Sequence, residues 1–169
     1  MDEIEIVKCN LSSLDELLKI YEKAREMMRN SGNPNQWKTT TPTAETIKKY
    51  INDNHFYIGR YKNNSTSPIL FAFALIDGID PTYNYIYNGK WLNNEPYMTI
   101  HSLVSSFIIK NTFSYVLNYA LQFTKNIRID THKDNKIMQH ILHKYGFIHC
   151  GTINLANGEP RLAYQLEVK

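Results

Sequence analysis

The sequence predicts an α/β (α+β) architecture, a mixed central sheet of about seven strands flanked by four helices. Three observations carry that reading. Ile69 to Ile76 is a near-continuous apolar run, as expected of a central strand covered on both faces. Stripes of apolar residues at helical spacing separate short strand patterns, in the order β-α-α-β-β-β-α-β-α-β-β. Turn chemistry closes the chain: Gly146 follows a helical stripe, and Asn157-Gly158 separates two strand patterns as a hairpin signal.

Taken in order, Glu3 to Cys9 alternates enough (Ile4, Ile6) to read as a strand. Ser13, with Glu16 three residues on, reads as a capping box for a helix whose stripe is Leu14, Leu17, Leu18, Tyr21, Ala24 and Met28. Gly32 is its stop signal. After the polar loop Asn33-Pro34-Asn35-Gln36-Trp37, Thr43 starts a short helix with Ile47, Tyr50 and Ile51 inward. Phe56 to Tyr61 and Ile69 to Ile76 are strands joined by the polar turn Lys62 to Pro68. Asp77 to Tyr97 is irregular, with the exposed-looking aromatics Tyr83, Tyr85, Tyr87 and Trp91. Met98 to Ser105 is a strand, and Thr112 to Thr124 a helix with Phe113, Val116, Leu117, Ala120 and Leu121 on one face. Ile127 and Ile129 alternate with Arg128 and Asp130 in the next strand. Asp134 reads as the cap of a helix with Ile137, Met138, Ile141, Leu142 and Tyr145 inward. Phe147 to Asn154 and Arg161 to Val168 are the closing strands.

A chain of 169 residues has the size of one domain, and residues 1–169 are read as a single one. The net charge of +3 is spread among paired Lys, Arg, Asp and Glu, which argues against nucleic acid as a partner. No apolar run approaches the ~20 residues a membrane span needs, so no membrane partner is expected. The two cysteines, Cys9 and Cys150, do not make a disulfide framework, and the start of the chain lacks a signal-peptide pattern. A cytoplasmic protein with buried thiols is expected. His140, His143, His149 and Cys150 do not follow a zinc-site spacing and no His-Glu-x-x-His occurs, so no metal is expected. A Ser-His-Asp hydrolase is disfavoured because Gly-x-Ser-x-Gly is absent.

The stretch from Ile127-Arg128-Ile129-Asp130-Thr131-His132-Lys133-Asp134-Asn135 through Met138 and Tyr145 to Gly146-Phe147 reads as strand, polar turn, capped helix and return. It closely resembles the last strand-helix-strand block of the GNAT N-acyltransferase superfamily. Gly32 to Trp37, Asp80-Pro81-Thr82-Tyr83, Gly89-Lys90-Trp91-Leu92, Ile100-His101 and Pro160 to Tyr164 add a likeness to a bacterial subgroup of that superfamily. The resemblance extends over nearly the whole chain.

That resemblance implies a GNAT-like domain that transfers an acetyl group from acetyl-CoA, as co-substrate, directly to a primary amine of a small molecule or peptide. Acetyl-CoA would lie where the fourth and fifth strands splay apart. Its pantetheine arm would then pair with Leu103, Val104 and Ser105. Its pyrophosphate would sit on the loop and helix start that include Lys110, Asn111, Thr112, Phe113 and Ser114, where backbone N–H groups and the macrodipole favour anions. Asn135 aligns with an asparagine that contacts the cofactor arm. The family's loop pattern is Arg or Gln, two residues, Gly, one residue, then Gly or Ala; this chain has Ile108, Asn111 and Phe113 there. Asn111 is the next best residue after glycine for a left-handed backbone, and Lys110 can neutralise a phosphate. Ser102 stands where the subgroup usually has Arg.

Acyl transfer to an amine needs a base, and His101 and His132 are the candidates, at the ends of adjacent strands. The family's thiolate-protonating tyrosine position holds Leu142, which leaves Tyr145 as the candidate acid, with a core position as its other reading. Trp37, Tyr83, Tyr85 and Trp91 are the candidate acceptor-binding aromatics; a homodimer interface would use them as well. The altered loop also supports an alternative, a GNAT-fold protein that has lost catalysis and serves as a ligand- or partner-binding module.

Overall fold

The computed structural model describes residues 3–169. One seven-stranded sheet runs in the order β1-β2-β3-β4-β5-β7-β6, built from β1 (Ile4–Lys8), β2 (Phe56–Tyr61), β3 (Phe71–Asp77), β4 (Met98–Ser105), β5 (Asn126–Thr131), β6 (Ile148–Asn154) and β7 (Pro160–Glu167). Neighbours are antiparallel except β4 and β5. Four helices flank it, α1 (Leu14–Asn30), α2 (Ala44–Asn52), α3 (Thr112–Ala120) and α4 (Lys136–Lys144). The expected mixed sheet and element order are therefore present.

The sheet separates two cores because strand side chains alternate. Phe71, Phe73 and Leu75 of β3 pack with Phe113, Val116 and Leu117 of α3 and Leu142 of α4 on one face. Ala72 and Ala74, on the other, leave room for Leu17 and Tyr21 of α1 and Ile47 and Ile51 of α2. Gly59 is small for the same steric reason: a Cβ there would lie 2.2 Å from the Phe71 ring.

Several ends differ from the sequence reading. A single turn of 3-10 helix (Leu11–Ser13) precedes α1, with Asn10 accepting from the Ser12 N–H. Ser13 is thus already helical (φ −91, ψ 0) and its side chain caps nothing. Glu16 does not close a capping box; its carboxylate accepts from the Ile69 N–H across the fold. The α4 cap is Asn135 rather than Asp134: its Oδ1 accepts from Met138 N at 3.0 Å, while the Asp134 N–H is held by His132 Nδ1. Ile137 is not part of the inward stripe; it is 62% exposed and borders the cleft described below. The third helix stops at Ala120, with Leu121 to Phe123 in a following turn. Thr43 caps α2 as expected, accepting from Thr46 N.

The segment 78–97 folds onto β5, β6 and β7 through polar contacts. Leu92 N donates to Gln165 Oε1, Gln165 Nε2 to Asn126 Oδ1, and Asn126 Nδ2 to Asn93 Oδ1. Arg128 is 6% exposed, contrary to the outward position its alternation suggested. Its guanidinium lies 4.2 Å from the Trp91 ring centre and 4.1 Å from that of Tyr97, and donates to the Asn93 carbonyl. Such stacking suits a weakly hydrated planar cation. Gly89 passes so close to β6 that a Cβ would lie 1.9 Å from the Cys150 carbonyl oxygen.

Candidate active site

Two strands that pair and then part create the site. The parallel ladder of β4 and β5 holds only Met98↔Ile127 and Thr99↔Arg128. Beyond Thr99 and Arg128 the strands diverge, leaving backbone groups of β4 unpaired on that edge. A bulge accompanies the split. Ala74 pairs with His101 but Ala72 with Val104, so β4 carries one extra residue. Ser102 absorbs it with a left-handed backbone, φ 53. Tyr21, fully buried on α1, donates its hydroxyl to the Ser102 carbonyl and holds the bulge. The bulge swaps faces: Ile100 and Leu103 both pack on the α3–α4 side, while Val104 joins the α1–α2 core.

A cleft of about 540 Å³ opens at the split. Of the residues singled out from the sequence, His101, Leu103, Val104, Ser105, Asn135 and Trp37 line it. Tyr145 does not; it packs on Phe113 at the far end of α4, 5.4 Å between ring centres. Tyr83 and Trp91 do not line it either, and Tyr83, 1% exposed, is not the exposed aromatic it resembled. They pack on each other, 5.2 Å between ring centres, and Trp91 Nε1 donates to the Tyr83 carbonyl at 2.9 Å. Tyr85 is 71% exposed and stands apart. None of Lys110 to Ser114 lines the cleft; they follow at the end of the loop from β4 into α3, where Thr112 Oγ1 lies 3.2 Å from the Oγ of the cleft-lining Ser105.

Imidazole, phenol and two carboxylates gather at the parting of the strands. His101 Nε2 lies 2.8 Å from Asp80 Oδ2. Thr82 N and Oγ1 donate to the other Asp80 oxygen at 2.9 and 2.7 Å. Burial alone would raise the Asp80 pKa, but the bonds from His101 and Thr82 outweigh it and hold the carboxyl below its ordinary 3.8. Burial would likewise depress His101; the hydrogen bond to Asp80 and the charges of Asp130 and Asp80 overcome it and raise the imidazole above 6.5. With Asp80 ionised, Nε2 donates and the neutral ring keeps its lone pair on Nδ1. Tyr83 donates to Asp130 Oδ2 at 2.6 Å. Burial, then the Asp130 charge, pushes the Tyr83 phenol well up, so it stays a donor.

His132 is otherwise employed. Its Nδ1 accepts from the Asp134 N–H, and burial followed by the Arg161 charge lowers its pKa. The thiols are buried as well; burial pushes Cys9 up to about 11. Among the described residues, no group of three or more His, Cys, Asp or Glu side chains could hold a metal ion. No helix among them is long and apolar enough to cross a membrane.

In the loop between β4 and α3, Asn111 holds a left-handed backbone, φ 59, at a position where the family pattern has glycine, and Phe107 is left-handed as well, φ 63, an unfavourable conformation for a bulky residue. No backbone N–H from Ile108 to Phe113 has a hydrogen-bond partner among the described residues. Phe113 fills the core, 4% exposed, and does not obstruct the loop. A run of free amides at a helix start fits phosphate oxygens. Because Asn111 already adopts the glycine-like conformation, Asn111→Gly is expected to change acetyl-CoA affinity by less than about threefold, under ~0.7 kcal/mol. Calorimetric titration checks this; a large gain would mean that the native loop is held out of shape.

Asp80 and Asp130 were not singled out as site residues from sequence. Asp80 is 21 positions from its imidazole partner, a pairing with no periodic signature. Asp130 looks like any outward residue of an alternating strand.

No protein-family model matches the chain, and none of the curated proteins does. Solved structures do. A GNAT family acetyltransferase from Streptococcus agalactiae 2603 is 29% identical, with 98% of this chain and 96% of that chain covered and a TM-score of 0.80. A GNAT family acetyltransferase from Listeria monocytogenes 4b F2365 is 14% identical, covering 98% and 95%, with a TM-score of 0.71. The protein yncA from Salmonella typhimurium, solved with its cofactor acetyl-CoA, is 10% identical, covering 98% and 94%, with a TM-score of 0.59. The last two likenesses are of fold alone.

Proposed function

We propose that the chain, similar over nearly its whole length to a GNAT family acetyltransferase, belongs to that superfamily and transfers an acetyl group from acetyl-CoA to a primary amine of a small molecule or peptide by direct transfer. The observation that carries this reading is the split of β4 from β5 with His101 at its apex. The unpaired β4 edge at Leu103, Val104 and Ser105 suits an amide-bearing arm. The free amides from Ile108 to Phe113, with Lys110 beside them, suit its phosphates. Asn135 borders the same cleft.

Acetyl-CoA supplies an activated thioester; the protein's residues supply position and proton transfer. His101, steered by Asp80, takes a proton from the acceptor amine. Trp37 lines the same cleft, and the loop around it is tied to the α4 start, where Asn135 Nδ2 donates to Gln36 Oε1 at 2.9 Å. Both substrates share one cleft, so transfer needs no acyl-enzyme.

Calorimetric titration with acetyl-CoA at low and moderate salt tests the reading. Micromolar binding that weakens with salt is expected. Absence of binding up to millimolar concentrations overturns it.

A further inference from the structure

Resting on the transferase reading just given, we propose that Asp130 is the anchor for the acceptor's ammonium group, so that this cleft selects amines that arrive as cations. Strand register makes the case. Thr99 and Arg128 are the last paired residues of β4 and β5. His101 and Asp130 each stand two residues further along, on the same face, the next pair had the strands stayed together. The split therefore sets an imidazole and a carboxylate on opposite walls of one opening, and both line the cleft.

Asp130 is underused for a half-buried carboxylate. Its hydrogen-bond partner among the described residues is the neutral Tyr83 phenol on Oδ2. No cation among them forms an ion pair with it; the cationic side chains nearby in the cleft wall, Lys38 and Arg161, are both engaged with Glu159. A half-buried carboxylate with one neutral donor has acceptor capacity left for a ligand rich in N–H donors, which a primary ammonium is.

The chemistry balances. The ammonium, held by Asp130, loses one proton to His101 Nδ1, which frees the nitrogen lone pair. That lone pair attacks the thioester carbonyl; the C–N bond forms, the C–S bond breaks, and the thiolate leaves with the electron pair. The second amine proton passes to the thiolate and gives the free thiol. His101 returns its proton to solvent, so one proton is released for each amide formed.

The test uses benzylamine and its neutral counterpart benzyl alcohol, titrated into the intact protein by ligand-observed NMR near pH 7. The wild type is expected to prefer benzylamine by about tenfold or more, as a hydrogen bond between charged groups provides. Asp130→Asn, which keeps an oxygen for Tyr83, is expected to erase that preference. Tyr83→Phe, which leaves the charge in place, is expected to retain it. No preference in the wild type, or a preference that survives Asp130→Asn, overturns the proposal. Acetyl-CoA titration of the same samples reports separately on the transferase reading, because Asp130→Asn should leave that affinity unchanged.

Discussion

Replacing His101 with alanine is expected to lower kcat/KM for acetyl transfer by about 10²- to 10⁴-fold, the usual contribution of a positioned general base, while acetyl-CoA still binds. The pH profile follows from the sign of the shift. A base must be neutral to accept a proton, and the His101 pKa lies above 6.5, so kcat/KM should climb as pH rises through that raised value. Asp80→Asn removes a charge that raises the imidazole, although its amide oxygen can still accept from Nε2; the burial that lowers the ring and the Asp130 charge that raises it remain. The rising limb should then move to lower pH. A limb that stays in place in Asp80→Asn, or full activity in His101→Ala, would sink the assignment of His101 as base.

Stability runs the other way with the same pair. His101 contributes stability that is complete below its unfolded pKa of about 6.5 and is lost as pH rises through the folded value. Asp80 contributes stability above about 3.8 that is lost as pH falls through its depressed value. The transferase would gain rate across the range in which the ion pair gives up part of its contribution.

Phe73→Ala is expected to cost about 3–5 kcal/mol, a large share of a typical 5–15 kcal/mol. The ring is 0% exposed and lies against Phe71 at 6.4 Å, Tyr57 at 5.6 Å and Tyr119 at 6.1 Å. Its sequence neighbours Ala72 and Ala74 point to the opposite core, so neither can fill the void. The residual cavity should add its own penalty to the lost burial. Thermal unfolding should show Tm lower by roughly 10 °C or more. A fall of only a degree or two would mean that the α3–α4 side closes over the gap, and that this core is far less rigid than its packing implies.

The architecture was legible because it is written in short-range patterns. Alternation in Ile4–Lys8, the apolar run of β3, the Thr43 cap and the glycines at 146 and 158 all act within a few residues. What failed depended on distant partners. Ser13 and Glu16 match a capping box, yet the extra turn started by Asn10 turns Ser13 helical, and Glu16 finds a better use at Ile69. Tyr83 looks exposed because its irregular segment carries no period, and Arg128 because a guanidinium alternating with Ile127 and Ile129 reads as the outward face of a strand. Their burial rests on Asp130, Trp91, Tyr97 and Asn93, which the fold alone brings near. The candidate site divides in the same way: the strand that lines the cleft could be read from sequence, whereas the Asp80–His101 and Tyr83–Asp130 pairs could not.

Both of those pairs recruit a member from outside the regular sheet. Asp80 and Tyr83 belong to the segment that Asn93, Leu92 and Gly89 fasten to the far strands through polar contacts and one close backbone approach. If that segment opened as a unit, the sheet and the split strands would persist, but the imidazole would lose its orienting carboxylate and Asp130 its phenol. On the proposed reading, chemistry would then be switched off by local melting of a few residues while the cleft between the split strands stayed folded.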